Sequence, residues 1–184
     1  VAAIYAGVQR EITLYSAPLD TVGKPDTPWV PIVKAADKVT DYAVRGDDIY
    51  LMTYGPSPRF AVVRTSLAQP DFKSAATVVA PSEEVIFSVA TARDALYWES
   101  RDGPVKRVKR MPWGGAPATL PLPLEGSASV MWAAPDADGA IVSLAAWTRA
   151  RQIYAVDAKG KAANTGLQKL GKFDAPEGYV TTEV

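Results

Sequence analysis

Runs rich in Val, Ile, Tyr and Trp, divided by turn residues, follow one another along the chain, and no window longer than about ten residues keeps the apolar spacing of a helix. Strands are therefore expected throughout. Sliding the chain against itself exposes a repeat. Asp41–Val44, a turn over Arg45–Asp48 and Ile49–Tyr54 form one hairpin pattern. Phe87–Ala90, a turn over Thr91–Asp94 and Ala95–Ser100 form a second, and Met131–Ala134, a turn over Pro135–Gly139 and Ala140–Ala145 a third. The spacing is 46 positions from Asp48 to Asp94 and 45 from Asp94 to Gly139. Each hairpin is followed by a third strand (Phe60–Arg64, Val105–Lys109, Gln152–Val156) and a weaker fourth (Ala76–Val79, Thr119–Leu122, Gly166–Leu170).

Four antiparallel strands in roughly 40–50 residues make the blade of a β-propeller. The expected fold class is all-β, a partial β-propeller of about four blades over approximately 1–38, 39–83, 84–127 and 128–174. Residues 4–34 supply a second, third and fourth strand (Ile4–Val8, Ile12–Ala17, Trp29–Val33) with no innermost strand ahead of them, so the first blade is expected to be incomplete. Both ends read as strand interiors. The chain is thus expected to be a fragment of one propeller domain, with 175–184 as an exit strand towards a further domain; alternatively, Tyr179–Val184 takes the vacant inner position and closes a ring of four. A fragment with open strand edges is expected to self-associate. A β-sandwich is the competing architecture, but it gives no reason for the hairpins to recur in register.

Composition removes chemistry rather than adding it. The 184 residues contain no His and no Cys, which excludes a Ser-His-Asp triad, a histidine base, thiol catalysis, disulfides and His or Cys metal sites within this chain. Twenty Lys and Arg balance twenty Asp and Glu, so no broad nucleic-acid footprint is expected. No run approaches the roughly 20 apolar residues that span a bilayer, so no membrane partner is expected either. Nothing here selects a compartment, and no cofactor or metal is expected.

Two stretches then resemble a family. Ser57-Pro58-Arg59-Phe60-Ala61-Val62-Val63-Arg64 is similar to a small-Pro-x-x-basic-apolar segment, and Trp147-Thr148-Arg149-Ala150-Arg151-Gln152-Ile153-Tyr154-Ala155-Val156-Asp157 to a last-blade pattern, in the propeller of prolyl oligopeptidase-type serine peptidases. The tail Ala175–Val184 resembles the exit from that propeller into the peptidase domain, and the register places the chain in the second, C-terminal half of the propeller. Arg149-Ala150-Arg151 replaces the usual proline of the last-blade pattern. Tyr54-Gly55 stands where the family often has a basic residue reaching towards bound peptide.

The resemblance implies a non-catalytic part that caps an α/β-hydrolase domain of the same polypeptide and gates access of short peptides. No Gly-x-Ser-x-Gly elbow is present: Gly126-Ser127-Ala128-Ser129 lacks the second glycine. In the family the second-to-third-strand loops face the catalytic domain. Here these are Tyr54–Arg59, Arg101–Pro104 and Thr148–Arg151, so Tyr54, Arg59, Arg101, Arg149 and Arg151 are the candidate interface or peptide contacts, set against the plain reading of solvated turn residues. Two other functions fit a propeller, a non-enzymatic scaffold for protein partners and a fragment of a propeller glycosidase.

Further groups have structural expectations. Lys106-Arg107-Val108-Lys109-Arg110 is expected to be a solvated outer strand rather than a nucleic-acid site. Asp47-Asp48 and the pair Asp136 and Asp138 lack calcium-loop spacing and are expected to bond their own turns. Glu83-Glu84, taken as strand neighbours, point to opposite faces and cannot converge as an acid–base pair. Trp98 and Trp132 are expected in inter-blade core.

Overall fold

A computed structural model describes residues 1–174 and Gly178. The exit strand and ring closure expected for 175–184 lie outside the described residues, apart from Gly178. Among the described residues fifteen strands form four antiparallel sheets, with no α-helix and only two three-residue 3₁₀ turns at Leu19–Thr21 and Ala35–Asp37. The first sheet is β1 (Ala2–Tyr5), β2 (Ile12–Ser16) and β3 (Val30–Val33), in that order. The second is β4 (Val39–Arg45), β5 (Asp48–Thr53), β6 (Ala61–Ser66) and β7 (Ala76–Val79). The third is β8 (Val85–Thr91), β9 (Ala95–Asp102), β10 (Val105–Pro112) and β11 (Ala118–Thr119); the fourth is β12 (Ser127–Trp132), β13 (Ala140–Ala146), β14 (Arg149–Val156) and β15 (Ala162–Asn164). Each sheet is a meander of sequential neighbours. The chain forms two compact units, divided between Val89 and Ala90, inside β8.

In the first unit, β2 alternates strictly, sending Ile12 and Leu14 inward to meet Ile32, Val33, Val39, Ile49, Leu51 and Val63. Ser16 shares that inward face, and its hydroxyl donates to the Leu67 carbonyl at 3.1 Å. In the second unit, Tyr97, Val108, Leu120, Ala128, Val142, Leu144, Tyr154 and Val156 form the core. Each fully buried Leu or Ile contributes about 1.5–3 kcal/mol; alternation fixes the inward face of β2, whereas β5 and β9 are buried on both faces.

Turn chemistry sets the registers. Arg45 pairs with Asp48 and Asp102 with Val105, and in both two-residue turns the first central residue is a glycine at positive φ (Gly46 57°, Gly103 61°), as a type II′ hairpin requires. Gly139, at φ 79°, admits no side chain: a Cβ there would lie 1.8 Å from the Val156 carbonyl oxygen.

Several strand limits differ from expectation, and β1 is Ala2–Tyr5 rather than Ile4–Val8. The first strand of the last sheet is Ser127–Trp132, not Met131–Ala134, because Gly126 lets the chain approach Ala145 where a Cβ would meet its carbonyl oxygen at 2.4 Å, and pairing starts at once with Ser127 opposite Ala145. Its fourth strand is Ala162–Asn164, not Gly166–Leu170. The Asp157 carboxylate accepts the amides of Lys159 and Lys161, each at 2.9 Å, and so closes a turn directly after β14. Strand β11 stops at Thr119 because Pro121 has no N–H with which to extend the ladder.

Candidate functional site

The loop from β5 to β6 in the first unit is held by a set of specific contacts. Thr53, buried at the end of β5, donates to the Asp37 carbonyl at 3.0 Å and accepts the Gly55 amide at 3.1 Å. The Tyr54 amide donates to the Lys38 carbonyl at 3.2 Å. Around the Tyr54 ring, Phe60 stands edge-on with centroids 5.6 Å apart, and the Lys38 ammonium lies 5.6 Å from the centroid. Lys38 (φ 57°) and Phe60 (φ 67°) are the non-glycine residues with left-handed backbone among those described. Holding them there costs on the order of 1–3 kcal/mol each, which the surrounding contacts must offset.

The Tyr54 hydroxyl donates to the Glu11 carboxylate. That bond holds the Glu11 carboxyl below its ordinary pKa and, because the phenolate would face a carboxylate, raises Tyr54 above its own. Arg59 is tied down too. Its amide donates to the Ser57 hydroxyl at 3.1 Å, and its guanidinium bonds both the carbonyl and the carboxylate of Glu83, the latter at 2.9 Å. Tyr54 and Arg59 thus share one braced loop.

In the second unit the three expected loop arginines sit elsewhere. Arg101 lies in exposed strand at the end of β9, before the turn Gly103-Pro104. Arg149 and Arg151 belong to β14 rather than to a loop, because Ala146 pairs directly with Arg149 and the Ala150 amide donates to the Asp174 carbonyl at 2.8 Å. The connection shrinks to Trp147-Thr148, with Trp147 89% exposed.

Several other expectations are corrected. The run Lys106–Arg110 is a half-buried third strand, not a solvated outer one. Lys106 Nζ reaches Glu99 Oε2 at 3.1 Å and Ser129 Oγ at 2.6 Å, while Arg110 bonds Asp94 (2.7 Å), the Tyr97 hydroxyl (3.1 Å) and the Ala158 carbonyl (2.6 Å). Asp138 does not cap its own turn: both its carboxylate oxygens receive the Arg93 guanidinium, at 2.8 and 2.7 Å, which lowers its pKa. Asp48 faces Arg64 at 3.4 Å. Glu83 and Glu84 lie in a bend, not a strand, and Glu83 pairs with Arg59. Trp98 is buried, but Trp132 is 51% exposed.

Sequence reasoning missed a set of carboxylates that bind distant backbone amides. Asp41 takes the Val89 amide at 2.9 Å, Asp94 the Gly139 amide at 2.6 Å and Glu99 the Val130 amide at 2.9 Å. The available signal was the repeat itself, since Asp94 and Gly139 both occupy its hairpin turn. Among the described residues, no group of three or more acidic side chains could hold a metal ion.

Four short antiparallel meanders, with no histidine anywhere in the chain, define a partial β-propeller that cannot assemble a Ser-His-Asp triad. The chain belongs to the prolyl oligopeptidase family: residues 2–165 match its N-terminal β-propeller domain. Solved structures agree on the fold. Oligopeptidase B from Leishmania major is 12% identical with a TM-score of 0.74 over 90% of this chain and 25% of that one. Prolyl oligopeptidase B from Galerina marginata is 16% identical with a TM-score of 0.71, over 88% and 24%. One of two prolyl endopeptidases studied for inter-domain dynamics in catalysis and specificity is 24% identical with a TM-score of 0.71, over 85% and 23%. The chain therefore spans about a quarter of the length of these enzymes. No curated protein matches the sequence.

Proposed function

We propose that this chain is the non-catalytic propeller portion of a prolyl oligopeptidase-like serine peptidase, capping an α/β-hydrolase domain of the same polypeptide and admitting short peptides while excluding folded proteins. One observation carries the reading: a peptidase-family propeller sequence over residues 2–165 in a chain without a single histidine. Its contribution is then geometric, by limiting access and excluding water rather than moving protons. The braced Tyr54–Arg59 loop supports this role, because a loop that meets a partner domain or a peptide gains from being held in shape beforehand. In the same reading Arg101, Arg149 and Arg151 offer guanidinium groups to carboxylates of the hydrolase domain or to a peptide terminus.

Two measurements test it. The isolated chain is expected to leave Gly-Pro chromogenic peptides intact; turnover abolished by a serine-directed phosphonate would overturn the assignment. Joined to its hydrolase domain, the propeller is expected to suppress cleavage of a folded protein while short peptides are still cut. Equal cleavage of the folded protein with and without the propeller would remove the gating role.

A further inference from the structure

In the second unit a cavity of about 290 Å³ opens where the chain leaves β11 and crosses to β12. The crossing is a run of alternating leucine and proline, Leu120-Pro121-Leu122-Pro123-Leu124. The prolines are exposed, whereas Leu120 is buried and Leu122 and Leu124 are half-buried against the core. All three leucines line the cavity, and the buried Val108, Ala128 and Leu144 line it from the core side. The Leu120 amide reaches the Val108 carbonyl at 2.8 Å, but Pro121 and Pro123 have no N–H to give. Among the described residues no hydrogen bond holds Pro121–Glu125, so this strap stays in place by packing its leucines, and such a segment opens locally at low cost.

Charge narrows the ligand. Alternation along β10 turns Lys106 and Val108 to this side of the sheet and Arg107 to the other. The Lys106 ammonium is held by Glu99 Oε2 at 3.1 Å and Ser129 Oγ at 2.6 Å, and the second Glu99 oxygen accepts the Val130 amide at 2.9 Å. That ammonium is thus compensated, and Glu125 on the rim repels an anion. An incoming cation would surrender water to a leucine wall, with Glu99 already engaged and Glu125 exposed. What the wall favours is uncharged alkyl surface.

We propose that this cavity binds a neutral branched aliphatic group, admitted beneath the leucine–proline strap and held by packing against Leu122, Leu124 and Leu144. The volume is at the small end of ligand sites, about 300–1,000 Å³, which suits one short chain. The same group occurs in a free small molecule and in the leucine side chain of a peptide. The proposal stands on the second unit alone and does not require the peptidase reading.

The test titrates the 184-residue chain with 3-methylbutan-1-ol, its charged counterparts 3-methylbutanoate and 3-methylbutan-1-ammonium, and N-acetyl-leucinamide, following leucine methyl resonances. The alcohol is expected to shift the cavity leucines saturably, with a Kd on the order of 1 mM, and each charged counterpart to bind more weakly by about tenfold or more. Leu122→Asp, at a half-buried position on the strap, and Ala128→Leu, which fills the cavity from the core side, are each expected to abolish the shifts. Tighter binding of the leucinamide than of the alcohol assigns the site to leucine side chains, and the reverse to small molecules; either supports the proposal. Equal binding of the alcohol and a charged counterpart, binding that survives either substitution, or no saturable shift with the alcohol overturns it. If Ala128→Leu fails to fold, as seen from its methyl spectrum, Leu122→Asp and the charge comparison decide the matter.

Discussion

At the scale of single residues, the same types of group differ sharply in what they are worth. Asp94 and Arg110 each expose only 11% of their side chains, and Asp94 also serves the Gly139 amide. Removing one partner strands the other, so Asp94→Ala is expected to cost about 3–5 kcal/mol in denaturant unfolding. Arg93 and Asp138 make a comparably short pair but expose 61% and 40%, and Arg93→Ala is expected to leave the unfolding midpoint nearly unchanged. The Glu11–Tyr54 contact has a pH signature. Its carboxyl titrates below the ordinary value, so its contribution is complete above that value and fades as pH falls through the depressed one. Tyr54→Phe is expected to raise the Glu11 pKa towards its ordinary value, read by NMR titration of its side-chain carboxyl.

At the scale of elements, a close approach rather than a hydrophobic pattern decides several boundaries. Gly139→Ala drives a methyl into the Val156 carbonyl at positive φ and is expected to cost at least about 2 kcal/mol, seen as a lower unfolding midpoint. The hairpins of the second and third sheets were legible because their second strands are continuous apolar runs buried on both faces, Ile49–Met52 and Ala95–Trp98, and in the second sheet Gly46 sits where a tight turn needs it. The last sheet was less legible. Its first strand starts beyond Gly126 with Ser127-Ala128-Ser129, a weak strand signal, and its fourth is Ala162-Ala163-Asn164, carried by turn bonds from Asp157 rather than by apolar side chains. The second-to-third-strand loops could be placed only roughly, since a two-residue turn and a longer loop read alike until pairing is known. Arg149 and Arg151 therefore moved into a strand, whereas Tyr54 and Arg59 stayed in a loop. The bonds from Asp41, Asp94 and Glu99 to remote amides were hidden because no local pattern distinguishes a carboxylate that caps its own turn from one that reaches a backbone more than 30 residues away.

At the scale of the molecule, strand edges are unequally protected. β3 contains Pro31, and β11 is two residues long, both ordinary defences. β1, Ala2-Ala3-Ile4-Tyr5, has no Pro or Lys, its outer edge has no partner among the described residues, and Ile4 and Tyr5 are 54% and 66% exposed. Self-association through this edge is the expected outcome: sedimentation velocity should show mass rising with concentration, and Ile4→Lys should suppress it. A chain that stays monomeric at every concentration removes the idea.

The division inside β8 has a practical corollary for anyone wishing to isolate the halves. A broad-specificity protease needs a pliable, accessible stretch, and such stretches lie at about residues 17–29 and 67–75 rather than across Val85–Thr91, where the backbone is engaged in a sheet. Digestion is expected to trim or nick those loops without liberating either half, so truncation at Val89 would have to be made genetically and would cut through a ladder instead of a tether.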